Sequence, residues 1–126
     1  MTDSIDWGAL HDAASHARSN AYAPYSKITV GSAILADGRV FSGCNVENSS
    51  FPVGCCAERA ALYAAVVAGC RNIQAVAIVS EEAIPPCGMC RQALVEFNPS
   101  VPIRLYGANS ETSWNLADLL PEPFRL

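Results

Sequence analysis

Apolar residues recur at helical spacing near the start of the chain: Ile5, Leu10, Ala13, Ala14 and Ala17. This period predicts a helix over 5–19, with Ser4 as its cap. "NAYAPYS" breaks it, because Pro24 disfavours helix at Ala23. The period then shortens. "KITVGSAILADGRVFSGCNV" predicts two strands around Asp37-Gly38, a pair suited to the positive φ of a tight hairpin turn. "NSSFPVG" is a loop, and the Ala- and Leu-rich stretch "CAERAALYAAVVAG" (56–69) predicts a helix with Gly69 near its end. "IQAVAIVS" (73–80) is apolar throughout, as in a strand buried on both faces. After the loop "EEAIPP", a helix is predicted over 87–97 and stopped by Asn98-Pro99. "VPIRLYG" (101–107) predicts a strand and "SWNLADLLP" (113–121) a short helix ended by Pro121. The order αββαβαβα implies an α/β fold: one mixed sheet with helices on both faces, in a single domain over 1–126.

Composition narrows the partners. The chain has 126 residues, a net charge of −4 and only eight Lys and Arg, which are scattered. A nucleic-acid binder needs clustered basic residues, so none is expected here, and a small neutral ligand fits better. "MTDSIDWGALHD" lacks the basic start and apolar run of a signal peptide, and no apolar stretch is long enough to span a bilayer. A cytoplasmic location without membrane contact is therefore expected. Thiols stay reduced there, so the six cysteines point to metal before disulfides.

Cys87 and Cys90 fall on the first turn of a predicted helix, just after Pro85-Pro86. Their spacing puts both sulfurs on one side. The free N–H groups and positive dipole end of a helix N-terminus favour thiolate. Cys56 starts the other predicted helix with the same advantage, so two helix N-termini can converge on one cation. A lone CxxC is weak, since redox pairs and zinc ribbons share it. Cys-x-Glu at one helix start and Pro-Cys-x-x-Cys at another together form a zinc deaminase signature, with cysteine as first ligand instead of histidine.

Three competing readings remain open on the residues alone. A closed structural zinc site needs a fourth thiolate from Cys44, Cys55 or Cys70. Cys55 adjoins Cys56 and points elsewhere in most backbone geometries, Cys70 lies roughly 20 Å away by helical rise, and Cys44 reads as a small core residue. A thiol redox protein would leave Cys87 and Cys90 free of metal, and a non-catalytic zinc module would have no use for Glu58. With an open fourth position, Glu58 instead makes sense as a proton carrier. Arg59, one turn along from Cys56, is placed to hydrogen-bond a ligand sulfur and withdraw charge from three thiolates. As plain structural residues, Glu58 would be a first-turn glutamate and Arg59 a surface ion-pair partner.

Over nearly its whole length the chain resembles the small zinc-dependent cytidine deaminases. The matching stretches are "AYAPYSKITVGSAI", "GCNVENSSFPVGCCAERAAL", "PCGMCRQ" and "LLPEPF", the middle two highly specific together. The resemblance implies a three-layer α/β/α sandwich around a five-stranded mixed sheet, assembled as a homotetramer with shared active sites. It implies one Zn2+ per chain on Cys56, Cys87 and Cys90, with Glu58 as proton shuttle. Cytidine and deoxycytidine would become uridine and deoxyuridine as zinc hydroxide adds to C4, a step of pyrimidine salvage. Asn45 and Glu47 match the pair that holds the ribose 3′-hydroxyl, the Ala57 N–H a contact to the pyrimidine carbonyl, and Arg59 an arginine that tempers thiolate charge. Alternate strand residues share a face, so Asn45 and Glu47 can also reach one pocket on periodicity alone. Phe124 matches a residue reaching into a neighbouring subunit's site, and only two residues follow it. Ile28 stands where the family usually has Phe against the pyrimidine. It keeps an apolar wall without aromatic stacking, which opens an alternative substrate class of C4- or N4-modified cytidines. Deaminases of the blasticidin type fit less well, since "NVEN" speaks for a ribose. Deaminases of tRNA or DNA are disfavoured by the acidic charge and the cysteine first ligand.

Overall fold

The first helix starts later than its apolar spacing suggests, because a carboxylate outcompetes a hydroxyl for its free end. The structure is a computed structural model and describes residues 4–126. Helix α1 spans Trp7–Arg18, and its cap is Asp6, whose Oδ1 accepts the Ala9 N–H at 3.0 Å. Ser4 lies ahead of the helix. An ionised Asp6 also meets the positive end of the helix dipole, which a serine does not.

The hairpin forms where expected. Strands β1 (Gly31–Ala36) and β2 (Arg39–Cys44) pair antiparallel, with Ala36 opposite Arg39. Asp37 and Gly38 both adopt positive φ, 51° and 76°, as a two-residue hairpin turn of matching twist requires. Then follow a 3-10 turn (Phe51–Val53), α2 (Ala57–Val67), β3 (Ile73–Val79), α3 (Gly88–Val95) and β4 (Pro102–Tyr106). The chain closes with β5 (Glu111–Asn115) and α4 (Leu116–Leu119). The sheet order is β2-β1-β3-β4-β5. Only β3 and β4 are parallel, joined across α3, so the sheet is mixed. The central place of β3 explains its unbroken apolar run.

Side chains alternate across the sheet and build two cores. On one face Leu10 and Ala14 of α1 pack on Ala33, Ala75, Ala77 and Val79. On the other, Ala61, Leu62 and Ala65 of α2 and Leu94 and Val95 of α3 pack with larger aliphatics, among them Ile34, Val76, Ile78 and Ile103. The result is the expected α/β/α sandwich. Alanines under α1 let it lie close to the sheet.

The end of the chain departs from its local pattern. Residues 113–121 predict a helix, but Glu111–Asn115 form the fifth strand, antiparallel to β4. All five residues are exposed on this sheet edge, so no apolar alternation marks them. Pairing of Thr112 with Leu105 and Trp114 with Ile103 suits the strand preference of both residues. Asn115 then caps the short α4, accepting the Ala117 N–H at 3.0 Å.

One glycine sets the height of α2 over the sheet. A Cβ on Gly43 would lie 2.6–2.7 Å from Ala61 N, Ala57 O and the Ala60 Cβ. Two of these are backbone atoms of the helix that carries Cys56 and Glu58, so they cannot turn aside. Gly43→Ala is expected to destabilise the fold by about 1–3 kcal/mol, the usual cost of overpacking, and to lower metal content. Urea unfolding with metal analysis of the folded fraction checks this; unchanged values for both would contradict it.

Candidate metal centre and substrate cavity

Three cysteines meet although 31 residues separate the first two. Cys56 is the N-cap residue of α2, Cys87 that of α3, and Cys90 lies one turn into α3. Neither N-cap residue makes a side-chain capping bond, so both sulfurs are free to face each other. The three sulfurs lie within 4.8 Å of one another, with Cys56–Cys87 and Cys87–Cys90 both at 3.6 Å. Those separations are far beyond a disulfide bond, and all six cysteines are free. They match the edge of a zinc–sulfur tetrahedron, about 3.8 Å when each Zn–S bond is about 2.3 Å. The donor set therefore fits zinc, with three protein ligands and one open position. Cys44, Cys55 and Cys70 lie outside the cluster.

The electrostatics favour thiolate at this point. Cys56 is held down to about 5, chiefly by the neighbouring Cys90 thiol, against partial burial and with help from Arg59. Cys90 is pushed far up by that same contact and by burial. Metal binding requires these sulfurs deprotonated, so a cation would displace the protons they hold. Arg59 Nη2 donates to Cys56 Sγ at 3.6 Å, while its buried Nε has no partner. Glu58, in the first turn of α2, is 5 % exposed. Burial raises its pKa to about 7; its own backbone N–H opposes this, and the negative charge of Cys56 adds to it. A carboxyl poised there both holds and releases a proton near neutrality.

Beside the sulfurs opens a cavity of about 840 Å³. Cys56, Arg59, Asn45, Glu47, Phe51 and Met89 are among its lining residues. Asn45 and Glu47 lie just past β2 on the same side of the chain. The Asn45 Oδ1 accepts the Val30 N–H at 2.8 Å, and its Nδ2 donates to Ile28 O at 2.7 Å. One Nδ2 hydrogen remains for a ligand. Glu47 Oε1 accepts the N–H groups of Tyr25 and Ser26 at 3.0 and 3.1 Å, and Oε2 accepts the Ser26 hydroxyl. The pKa of Glu47 is lowered, first by that hydroxyl and then by the Ser26 N–H. Ala57 is fully buried as the first residue of α2, where a helical N–H has no partner within its own helix. Ile28 and Phe124 are 50 % and 69 % exposed and do not line the cavity within one chain. Tyr25 and Ser26 went unmarked in the sequence, because their partner Glu47 stands more than twenty residues downstream.

Residues 7–104 match the family model described as the cytidine and deoxycytidylate deaminase zinc-binding region. A cytidine deaminase of Sporosarcina psychrophila is 47% identical over 115 residues, covering 86% of this chain and 83% of the relative. One from Mycobacterium tuberculosis is 41% identical, covering 97% and 92%. The solved structure of a Burkholderia pseudomallei cytidine deaminase superposes with a TM-score of 0.90 at 43% identity, covering 95% of this chain and all of that one.

The purified protein is expected to carry one zinc ion per chain, and Cys90→Ser to lose most of it. Protons compete with the metal for sulfur, so zinc should remain bound near neutral pH and dissociate on acidification as the thiolates are reprotonated. Elemental analysis after dialysis at stepped pH tests both. Zinc lost from the wild type at neutral pH, or fully retained by Cys90→Ser, would contradict the assigned ligands.

Proposed function

The chain belongs to the cytidine deaminase family, and from that membership we propose that it hydrolyses cytidine and deoxycytidine to uridine and deoxyuridine, releasing ammonia. The observation that carries this is the buried Glu58 in the helix turn that carries Cys56, where Cys56 is one of three clustered sulfurs and lines a cavity shared with Asn45 and Glu47. Cys56, Cys87 and Cys90 are the residues that would hold the zinc. When bound, zinc supplies Lewis acidity, which makes water a competent nucleophile toward C4 near neutral pH.

The chain's own groups do the rest. Asn45 gives its remaining N–H to the sugar, and Glu47 accepts a hydroxyl proton from it. The Ala57 N–H, at the positive end of α2, meets the pyrimidine carbonyl. Glu58 takes a proton from the attacking water and delivers it to N3 of the ring. It then takes the proton of the new C4 hydroxyl and passes it to the amino group, so that ammonia departs as the C4–N bond breaks and the C4 carbonyl forms. Its high pKa suits both steps, since a fully ionised carboxylate would hold protons too weakly. Arg59 offsets the negative charge that three thiolates place around one divalent ion.

The full chain, 1–126, works as one domain in this reading, in the cytoplasm and as a homotetramer. Support for assembly comes from the surface. Phe51, Val53, Tyr63, Val67 and Met89 are all exposed, and two of them form part of the cavity wall. Phe124 lies outside the cavity of a single chain, in keeping with a side chain that completes a neighbour's site, whereas Ile28, expected as a wall against the pyrimidine, also lies outside it. Sedimentation analysis should show four chains per particle; a stable monomer with full activity would overturn the shared site.

Glu58→Gln should keep its zinc yet lose turnover of cytidine by about 10²- to 10⁴-fold, the usual worth of a placed proton carrier. Ultraviolet absorbance loss with cytidine measures this. A zinc-loaded variant with undiminished turnover would remove Glu58 from the mechanism.

A further inference from the structure

The turn 25–28 is built around one carboxylate. Lys27 sits at φ 65°, a left-handed conformation that a lysine seldom adopts. The turn aims the Tyr25 and Ser26 N–H groups at Glu47 Oε1. The Ser26 hydroxyl joins them from the other side, donating to Oε2. Its proton is committed to that direction, because its oxygen already accepts the Ile28 N–H at 3.0 Å. The chain Ile28 N–H, Ser26 O–H, Glu47 is thus a relay of donors in which each bond polarises the next. The other end of Glu47 is tied as well, with its N–H donating to Tyr22 O at 2.8 Å.

A carboxylate has about four acceptor directions. Two on Oε1 and one on Oε2 are occupied by the turn. We infer that Ser26 is a positioning residue of the substrate site, which fixes Glu47 so that a single acceptor direction on Oε2 is left for one sugar hydroxyl. Ser26 itself touches no reacting atom; it acts through Glu47. The group read at this point must donate a proton, so a free hydroxyl fits, while an ether or a phosphate ester does not. Only one hydroxyl is read there, which leaves the neighbouring 2′ position unconstrained by Glu47. This rests on the proposed nucleoside reaction, and on Glu47 as the acceptor of the 3′-hydroxyl.

Steady-state kinetics with cytidine and 3′-deoxycytidine, on zinc-quantified wild type, Ser26→Ala, Ser26→Thr and Glu47→Gln, test it. Ser26→Ala should raise KM for cytidine about tenfold, equivalent to roughly 1.4 kcal/mol of lost binding, with a much smaller change in kcat. Ser26→Thr, which keeps the hydroxyl, should restore KM. With 3′-deoxycytidine the wild type and Ser26→Ala should behave alike, because the contact that Ser26 supports is absent. An equal loss on both substrates would mean a merely structural serine and overturn the inference. So would an unchanged KM in Ser26→Ala while Glu47→Gln raises it, and in that case the role of Glu47 survives. Wild-type KM in Glu47→Gln would overturn both assignments together, while turnover of cytidine still stood for the reaction itself.

Discussion

Three sulfurs forced into mutual contact are the constraint around which this molecule is arranged. Three thiolates at this spacing would repel one another, so their charge must be balanced. It is met by three sources of positive potential: the N-terminus of α2, the N-terminus of α3 and the Arg59 guanidinium. A divalent cation completes the balance. The fold supplies the geometry by packing both helices on the same face of the sheet. Gly43 sets how near α2 can come.

Two glutamates near this centre are tuned in opposite directions by their surroundings. Glu58 is buried, with its charge disfavoured by desolvation and by Cys56, so its pKa rises. Glu47 is ringed by donors from the turn 25–28, so its pKa falls. One carboxyl can therefore carry protons near neutrality, while the other stays an acceptor. The same side chain performs two tasks because burial and hydrogen bonding act on it with opposite sign.

The elements with strong local signals were legible from the chain. Asp37-Gly38 specified the hairpin, the apolar run 73–79 marked the central strand, and the Ala- and Leu-rich composition placed α2. The fifth strand was hidden, since an exposed edge carries no apolar alternation and its five residues run directly into a short helix. Helix α1 starts two residues later than its apolar spacing predicts, because only the formed helix shows that the Asp6 oxygen, and not that of Ser4, reaches the Ala9 N–H.

Residue types and spacing determined the chemistry available here: soft anionic ligands at two helix starts, a carboxyl beside them, and an amide–carboxylate pair two residues apart. Those properties are local and need no knowledge of the fold. Tertiary structure alone decided that the sulfurs of Cys56, Cys87 and Cys90 come within 4.8 Å of one another and that Ser26 supports Glu47. Each of these is a distance between residues remote along the chain or a direction in which a side chain leaves it. Such distances follow from how helices settle on a twisted sheet, and no local pattern of residues encodes them.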